Sequence, residues 1–396
     1  MAHEQLKLET RSKPIIEVDG LQFKDLNNNG QLDPYEDWRL PVNERVADLV
    51  SRMTLEEKVG LMFIRSRSSG FGQEDESLTS HDGVLDEEFK TGSHTIFAFV
   101  NAPGTTETIE ELKLRHFILR ENLQPDEIAR FINALNELAE STRLGIPVIM
   151  ASNSRMNDAV GVFTTFPGTL GLAAAAQGAK KRGEDDLEVF RRFAEICRRE
   201  WLATGLRKGY MYMLDVVTDP RWQRIYGTFG EDTDLITRLA PVLIAGFQGE
   251  VLDDESVALT VKHFPGGGAR ENGFDPHYAE GQYNVYVTPG SLEQYHLPPF
   301  ESAVTMNPAS IMPYYSIPSA EKSAEQVVAG EVIEFEPYGF AFNRTFIHGL
   351  LREKYGFQGY INSDSGIINN MAWGVEDLSV PERAAKAVNA GVDVIS

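Results

Sequence analysis

The chain is poor in cysteine. Its 396 residues include a single one, Cys197, so no disulfide can form within the chain. Cysteine therefore gives no sign of an oxidising compartment. Cys197 lies in a predicted helix over residues 186–204, beside Phe193, Ala194 and Trp201. These apolar neighbours predict a thiol packed in the core rather than a nucleophile.

Basic residues are also scarce. Lysine and arginine number 37 against 59 acidic residues, which gives a formal net charge of −22. A surface of this sign repels nucleic acid and anionic lipid, so neither is expected as a partner. It favours neutral or cationic partners.

Long apolar runs are missing too. No stretch approaches the roughly 20 apolar residues that a membrane span needs, and the first residues lack the apolar segment of a signal peptide. The compartment is therefore unknown: it is cytoplasmic, or secreted or periplasmic if a signal peptide was removed.

What the chain does contain is an alternation of β-rich runs and amphipathic helices. With 42% hydrophobic residues it can bury a large core. Eight strands with helices between them predict a (β/α)8 barrel of the TIM type, and an open doubly wound sheet is the competing layout. No Gly-x-Gly-x-x-Gly turn follows the first strand, which weakens a dinucleotide-binding interpretation. The predicted strands are residues 59–64, 94–100, 146–151, 209–214, 258–264, 309–315, 357–363 and 392–396.

The expected domain layout follows from this alternation. Residues 1–40 are predicted to form an extension and residues 41–396 the barrel. The last predicted strand ends at Ser396, whereas a barrel strand needs a following helix to cover its outer face. We therefore expect the remaining cover to come from another polypeptide or from a longer form of the chain; the alternative is that the N-terminal helices cover it.

The extension carries a pattern typical of a calcium-binding EF-hand loop. Oxygen-bearing side chains fall at positions 1, 3, 5 and 9 of a twelve-residue stretch, with Gly30 at position 6 and a glutamate at position 12. The preceding residues 15–23 read as extended, so we expect a single structural Ca²⁺ site rather than a paired, switching EF-hand. The alternative is an Asn/Gly-rich turn followed by a helix. The predicted ligands are Asp25, Asn27, Asn29, Gln31, Asp33 and Glu36.

Polar residues cluster where predicted strands end. Asp364 follows the apolar run 357–363, and a carboxylate in such a place is costly to desolvate unless the site uses it. Lys262 and His263 end the fifth predicted strand, ahead of a glycine run. Arg224 follows the fourth strand and Asn153 the third. Because the carboxyl ends of parallel strands bind ligands, these residues are candidates for one site whose donors suit sugar hydroxyls.

Five motifs in order and spacing resemble glycoside hydrolase family 3. They are Arg143-Leu-Gly-Ile-Pro147, Phe166-Pro167, Asp219-Pro-Arg-Trp-Gln-Arg224, Lys262-His-Phe264 and Ser363-Asp364. The resemblance implies that Asp364 is the nucleophile of a retaining β-glycosidase. It also implies a sugar subsite formed by Arg224, Lys262, His263 and the tyrosine of the sixth strand, which the family pattern aligns with Tyr315. No cofactor is implied for catalysis.

The chain departs from the family pattern at three places. Asn153 stands where the family often has an aspartate that grips sugar hydroxyls, which weakens that interaction. Ser365 replaces a tryptophan that often follows the nucleophile, so Trp222 or Trp373 is a candidate for the missing aromatic wall. Gly267 stands where the N-acetylglucosaminidase branch has a histidine, which argues against that branch.

The resemblance implies an exo-acting β-glucosidase that releases glucose from β-glucosides or short β-glucans. A β-xylosidase and a non-catalytic carbohydrate-binding barrel are the alternatives. Retaining hydrolysis needs a second carboxyl group as acid/base, which the resemblance places on a glutamate of a following α/β domain or a second chain. We therefore expect the chain alone to bind sugar but turn over poorly. Local candidates for the acid/base are Glu271, Asp275, His277 and Glu280.

Overall fold

The computed structural model describes residues 4–90, 102–156 and 162–396, and it divides the chain into two compact units, residues 1–150 and 151–396. In the first unit a two-residue turn joins β1 (Ile15–Val18) to β2 (Leu21–Lys24). Asp19 and Gly20 have φ of 54° and 75°, as an Asp-Gly hairpin turn requires. The elements of this unit are β1 (Ile15–Val18), β2 (Leu21–Lys24), α1 (Val42–Arg52), α2 (Leu55–Leu61), β3 (Ile64–Ser66), β4 (Thr79–Ser80), β5 (Leu85–Asp86), α3 (Thr105–Glu110), β6 (His116–Ile118), α4 (Pro125–Ser141) and the start of β7 (Ile149–Ser152).

The first unit corrects one predicted strand and adds another. Residues 59–61 of the predicted strand 59–64 are helical, because Thr54 and Glu57 form a capping box that starts α2. The strand begins only at Ile64, and it pairs in parallel with β6, which was not predicted from the sequence. The predicted strand 94–100 lies outside the described residues.

The second unit is built on a parallel sheet, whose strands lie in the order β7, β8 (Lys208–Gly209), β9 (Ala258–Phe264), β11 (Ser310–Pro313) and β15 (Tyr360–Ile361). Asn362, just past β15, makes a further parallel bridge to Val394. The helices of this unit are α5 (Thr169–Lys181), α6 (Glu188–Thr204), α7 (Thr233–Gln248), α8 (Pro298–Val304) and α9 (Val380–Ala390), with π-helical segments at Leu292–His296 and Thr345–Lys354 and 3₁₀ turns at Gln223–Gly227, Ala279–Gly281 and Phe340–Phe342. Its strands are the end of β7, β8 (Lys208–Gly209), β9 (Ala258–Phe264), β10 (Tyr283–Asn284), β11 (Ser310–Pro313), β12 (Ile317–Pro318), β13 (Val327–Val328), β14 (Glu331–Val332) and β15 (Tyr360–Ile361).

Helix α7 shows how the second unit buries its core. Asp232 caps it by accepting a hydrogen bond from the Leu235 N–H at 3.0 Å, and Gly249 ends it with a φ of 75°. One face of the helix is buried, and each of its buried leucine and isoleucine side chains stabilises the fold by about 1.5–3 kcal/mol. Phe247 packs against Tyr212 with ring centroids 5.8 Å apart. Cys197 of α6 is fully buried, as predicted.

Within the described ranges, none of the helices combines the length and the apolar character needed to cross a lipid bilayer.

Candidate active site

The predicted site residues of the second unit follow the carboxyl ends of parallel strands. Lys262 and His263 lie in the last three residues of β9, and both are at least nine-tenths buried. Tyr315 lies two residues beyond β11 and Asp364 three residues beyond β15. The shared direction of these strands brings the side chains to one edge of the sheet, where ligands bind in parallel α/β folds.

The side chain of Asp364 is mostly buried, with 13% of its surface exposed. The backbone N–H of Ser365 donates to its Oδ1 at 2.8 Å, and the Nε2 atom of His263 is 3.6 Å from its Oδ2. The Tyr315 hydroxyl donates to the carbonyl of Ser365 at 2.8 Å. Burial, together with the neighbouring Asp364, raises the pKa of Tyr315 well above its usual value, so Tyr315 is a neutral hydrogen-bonding group.

His263 is held from its other side by Asp215. Its Nδ1 atom lies 2.9 Å from Asp215 Oδ2, and its backbone N–H donates to the same oxygen at 3.2 Å. The backbone N–H of Gly267 donates to Asp215 Oδ1. A Cβ atom on Gly267 would come within 2.8 Å of this oxygen and 2.7 Å of the Tyr314 ring, so this contact requires a glycine.

Lys262 and Asn153 meet, as expected of residues in one site. The Lys262 ammonium donates to Asn153 Oδ1 at 3.1 Å. Both residues, together with Arg224, line a cavity of about 300 Å³. Phe193 and Met213 contribute apolar surface to it, but neither His263 nor Asp364 is among its described lining residues. The cavity therefore lies to one side of the Asp364 carboxylate.

Arg224 is positioned through Tyr314 and Asp275. Its Nη1 atom donates to the Tyr314 hydroxyl at 3.3 Å, and this hydroxyl donates to Asp275 Oδ2 at 3.0 Å. Burial alone would lower the pKa of Arg224, but Tyr314, Asp275 and Asp364 together raise it above its usual value. Arg224 is therefore cationic beside Asp364.

Asp275 joins three loops of the second unit. Besides Tyr314, it accepts a hydrogen bond from Trp222 Nε1 at 2.9 Å and contacts His277 Nδ1. Burial opposes the charge on Asp275, but His277, Arg224 and Trp222 hold its pKa well below the usual range. A carboxylate this strongly ionised is a poor proton donor, so the geometry does not support Asp275 as the general acid.

The other local acid/base candidates differ in their surroundings. Glu271 pairs with Lys322 at 2.8 Å, on both of its oxygens. Glu280 is exposed. The ring of His277 packs edge-on against Tyr315, with centroids 4.8 Å apart. Of these candidates only His277 adjoins a residue that neighbours Asp364.

The two tryptophans considered for the aromatic wall have different surroundings. Trp222 is 1% exposed and bonded to Asp275, so it is a core residue and not an aromatic wall. Trp373 is partly buried and donates to the Pro276 carbonyl at 2.8 Å. Arg221 pairs with Asp219 at 2.7 Å.

In the first unit, the proposed calcium loop folds tightly around two of its carboxylates. Asp25 accepts from the N–H of Asn29 at 3.0 Å and of Gly30 at 2.8 Å, and Glu36 accepts from three further backbone N–H groups. Asp33 pairs with Arg52 at 2.8 Å. Over the described parts of the chain, no group of three or more Asp, Glu, His or Cys side chains is arranged to hold a metal ion.

Sequence reasoning missed Asp215 altogether and missed the role of Tyr314. A usable signal existed for Asp215, because it directly follows the apolar run 209–214, just as Asp364 follows 357–363. Tyr314 is recognisable from the sequence only as one of two tyrosines at the end of a strand. Its link to Arg224 depends on the loop that carries Asp275, which no strand pattern locates.

Comparison with known proteins shows the family to which the chain belongs. The chain has the parallel α/β fold of a β-glucosidase from Erythrobacter marinus, with a TM-score of 0.67 at 22% identity, over 92% of this chain and 41% of that one. Residues 97–395 match the glycosyl hydrolase family 3 N-terminal domain. The chain therefore belongs to glycosyl hydrolase family 3.

Two curated relatives are more similar in sequence. A periplasmic β-glucosidase/β-xylosidase from Dickeya chrysanthemi is 39% identical over 99% of this chain and 59% of its own length. A probable β-glucosidase C from Aspergillus flavus is 37% identical over 91% of this chain and 53% of its own length. The chain thus spans between a half and three-fifths of the length of these relatives.

Proposed function

We propose that this chain carries the nucleophile of a retaining, exo-acting β-glycoside hydrolase, which releases glucose from the non-reducing end of β-glucosides or short β-glucans. The observation that carries the proposal is the environment of Asp364. It is a mostly buried carboxylate at the strand ends, with Arg224, His263 and Tyr315 around it. The names of the relatives support the substrate class. We propose further that the parallel strands belong to a (β/α)8 barrel.

The chemistry proceeds in two displacements. An oxygen of Asp364 attacks the anomeric carbon as the bond to the leaving oxygen breaks, and a general acid protonates that oxygen. Water, deprotonated by the same group, then attacks the anomeric carbon, and the bond to Asp364 breaks. Arg224 and the pair of Lys262 and Asn153 offer donors and an acceptor that would hold the sugar hydroxyls.

The general acid is proposed to be a glutamate from a following α/β domain or a second chain. This assignment is supported by the state of the local carboxylates, because Asp275 is held as an anion and Glu271 is paired with Lys322. It predicts that the 396-residue chain forms the covalent intermediate from a substrate whose leaving group needs no protonation, and that it turns over poorly.

The test is covalent trapping with 2,4-dinitrophenyl 2-deoxy-2-fluoro-β-glucoside, whose leaving group departs without acid assistance. Intact mass and peptide mapping should locate one added sugar on Asp364. Asp364→Asn should prevent labelling, whereas Asp377→Asn, at an exposed carboxylate in the same loop, should label normally. Binding of glucose without any labelling would instead support a non-catalytic carbohydrate-binding barrel.

A β-xylosidase activity is the second candidate, because the Dickeya chrysanthemi relative is named for both activities. Glucosides and xylosides differ by the C6 hydroxymethyl group. Comparing the trapping rates of matched 2-fluoroglucosides and 2-fluoroxylosides ranks the two sugars. A faster rate with the xyloside would overturn the assignment to glucose.

We also propose that the loop from Asp25 to Glu36 binds a structural Ca²⁺. The donor set fits the ion, since its side chains offer oxygen ligands, and Asp25 and Glu36 are each at least 95% buried. Burial raises the pKa of Glu36, although three backbone N–H groups oppose this, so a cation would offset a real desolvation cost. Asn27, Asn29, Gln31 (through its carbonyl) and Asp33 would complete the shell.

Terbium luminescence sensitised by Tyr35 tests this site. Tb³⁺ should bind and be displaced by Ca²⁺, and Ca²⁺ should raise the Tm of the chain. Glu36→Gln should abolish both effects, whereas Glu74→Gln, at an exposed glutamate of the same unit, should leave them unchanged. Absence of a Tm shift at millimolar Ca²⁺ would contradict the proposal.

A further inference from the structure

We propose that Asp215 is a positioning residue that holds His263 as the Nδ1–H tautomer, so that Nε2 is a hydrogen-bond acceptor facing Asp364. The proposal rests on the proposed function for its catalytic consequence, but the tautomer itself can be measured independently of any activity. It concerns a buried carboxylate that is not among the described residues lining the cavity.

Asp215 carries a negative charge in the interior of the second unit. Its side chain is fully buried, and both of its oxygens receive N–H donors, from the His263 backbone at Oδ2 and from Gly267 at Oδ1. Burial opposes ionisation, but His263, the Gly267 N–H and Arg224 lower the pKa of Asp215 below its ordinary value. An ionised carboxylate can only accept hydrogen bonds, so the Nδ1 atom 2.9 Å away must carry a proton.

The Nε2 atom of His263 faces Asp364. It lies 3.6 Å from Asp364 Oδ2, which is too long for a hydrogen bond. Burial, together with Arg224, lowers the pKa of His263, while Asp215 and Asp364 oppose this; the balance favours the neutral ring. With the proton on Nδ1, Nε2 presents a lone pair towards Asp364.

Two consequences follow for the proposed reaction. The nucleophilic oxygen of Asp364 is not stabilised by a hydrogen bond from His263, so its lone pair stays available for attack. The same Nε2 lone pair can accept a hydrogen bond from a sugar hydroxyl that enters beside Asp364. If His263 carried its proton on Nε2 instead, the positive end of that N–H bond would face Asp364, stabilise its negative charge and reduce its nucleophilicity.

Asparagine at position 215 cannot reproduce this arrangement, because backbone donors approach both carboxylate oxygens. If the amide NH₂ faced Gly267, two donors would oppose each other. If it faced His263, it would oppose the backbone N–H and force Nδ1 to accept, which moves the ring proton to Nε2. Asp215→Asn therefore either loses a backbone hydrogen bond or flips the tautomer.

The direct test is nitrogen NMR of the wild-type chain labelled with ¹⁵N-histidine, with the His263 signals assigned by their loss in His263→Gln. We expect a protonated Nδ1 and an unprotonated Nε2 at pH 7. A proton on Nε2, alone or together with Nδ1, would overturn the proposal. This measurement needs no variant of Asp215, so it stands even if Asp215→Asn fails to fold.

The functional test is a double-mutant cycle on the rate of labelling by the 2-fluoroglucoside. Asp215→Asn should slow labelling by about ten- to a hundredfold, the range typical of gaining or losing a hydrogen bond to a charged group. In a His263→Gln background it should have no further effect. Equal slowing in both backgrounds would show a merely structural role. Absence of labelling in the wild type would refute the proposed function, and the NMR measurement alone would then decide the tautomer.

Discussion

Lys208 offers a sharp test of the electrostatics inside the second unit. It lies on β8 with 2% of its surface exposed, and its ammonium donates to Asn362 Oδ1 at 2.8 Å. The rings of Tyr210 and Tyr360 lie 5.1 and 4.8 Å from the nitrogen. Burial lowers the pKa of Lys208 to about 7. We predict that Lys208→Met stabilises the protein at pH 6 and that this advantage shrinks as the pH rises.

The magnitude follows from linkage between protonation and folding. A shift of the Lys208 pKa from 10.5 to about 7 corresponds to a destabilisation of the folded state by at most about 5 kcal/mol. This cost is fully present below pH 7. It falls as the pH rises towards 10.5, because the folded protein then holds a neutral lysine while the unfolded chain must still lose the proton. Between pH 6 and 9 the stability advantage of Lys208→Met over the wild type should fall by about 2–3 kcal/mol. Loss of the hydrogen bond between Lys208 and Asn362 reduces the gain in stability from Lys208→Met by about 1–3 kcal/mol. Asn362 Oδ1 is not left without a partner, because it still accepts a hydrogen bond from the Tyr210 hydroxyl at 3.0 Å.

The assay is urea unfolding at pH 6, 7.5 and 9, followed by tryptophan fluorescence. Trp201, Trp222 and Trp373, three of the four tryptophans, lie in the same unit as Lys208, so the signal reports mainly on that unit. Lys181→Met, at an exposed lysine, serves as the control and should change stability by no more than about 0.5 kcal/mol at any pH. A difference between wild type and Lys208→Met that is constant from pH 6 to 9 would refute the reasoning.

Three further predictions concern single contacts. Gly267→Ala should slow covalent labelling at least about tenfold, because the new Cβ atom would crowd Asp215 and Tyr314. Gly349→Ala is the control and should label at the wild-type rate, because its Cβ atom would meet no other atom within 4 Å. Equal labelling rates for the two variants would contradict the prediction. Asp275→Asn should weaken glucose binding about tenfold, because the Tyr314 hydroxyl that positions Arg224 would lose its charged acceptor. Calorimetry measures the affinity, and an unchanged value would contradict a role of Asp275 in positioning Arg224. Asp232→Ala should lower the free energy of unfolding by about 1 kcal/mol, since it caps α7, and calorimetric Tm values beside those of Asp234→Ala would check it.

The positions of the parallel strands in the second unit were predictable from sequence, but their lengths were not, since β8 and β15 have only two residues each. The predicted strand 258–264 and the predicted helix 186–204 match β9 and α6, because strong apolar periodicity and clear end signals coincide there. Strand β6 and helix α5 were missed. β6 has only three residues, and α5 is an alanine-rich segment with a weak amphipathic pattern. Periodicity cannot reveal elements that are this short or this uniform.

The candidate site was predictable only as far as strand ends reveal it. Lys262 and Asn153 come together because their strands are parallel, and the same rule brings His263 towards Asp364. The contacts of Asp275 depend instead on the long loop after β9, whose course is set by particular hydrogen bonds and by no repeating pattern. Loop-borne contacts of this kind have no signature in a single sequence.

The buried Asp275 carboxylate limits how strongly Arg224 can stabilise the charge of Asp364, the proposed nucleophile. Arg224 lies close enough to stabilise the Asp364 anion, and an anion stabilised by a full positive charge attacks poorly. Asp275 partly neutralises that charge through the Tyr314 hydroxyl, which donates to Asp275 and accepts from Arg224. Part of the field of Arg224 is thereby directed to residues that do not react. Removing the Asp275 carboxylate should therefore strengthen the attraction between Arg224 and Asp364 and slow the attack by Asp364, even where the fold is unchanged.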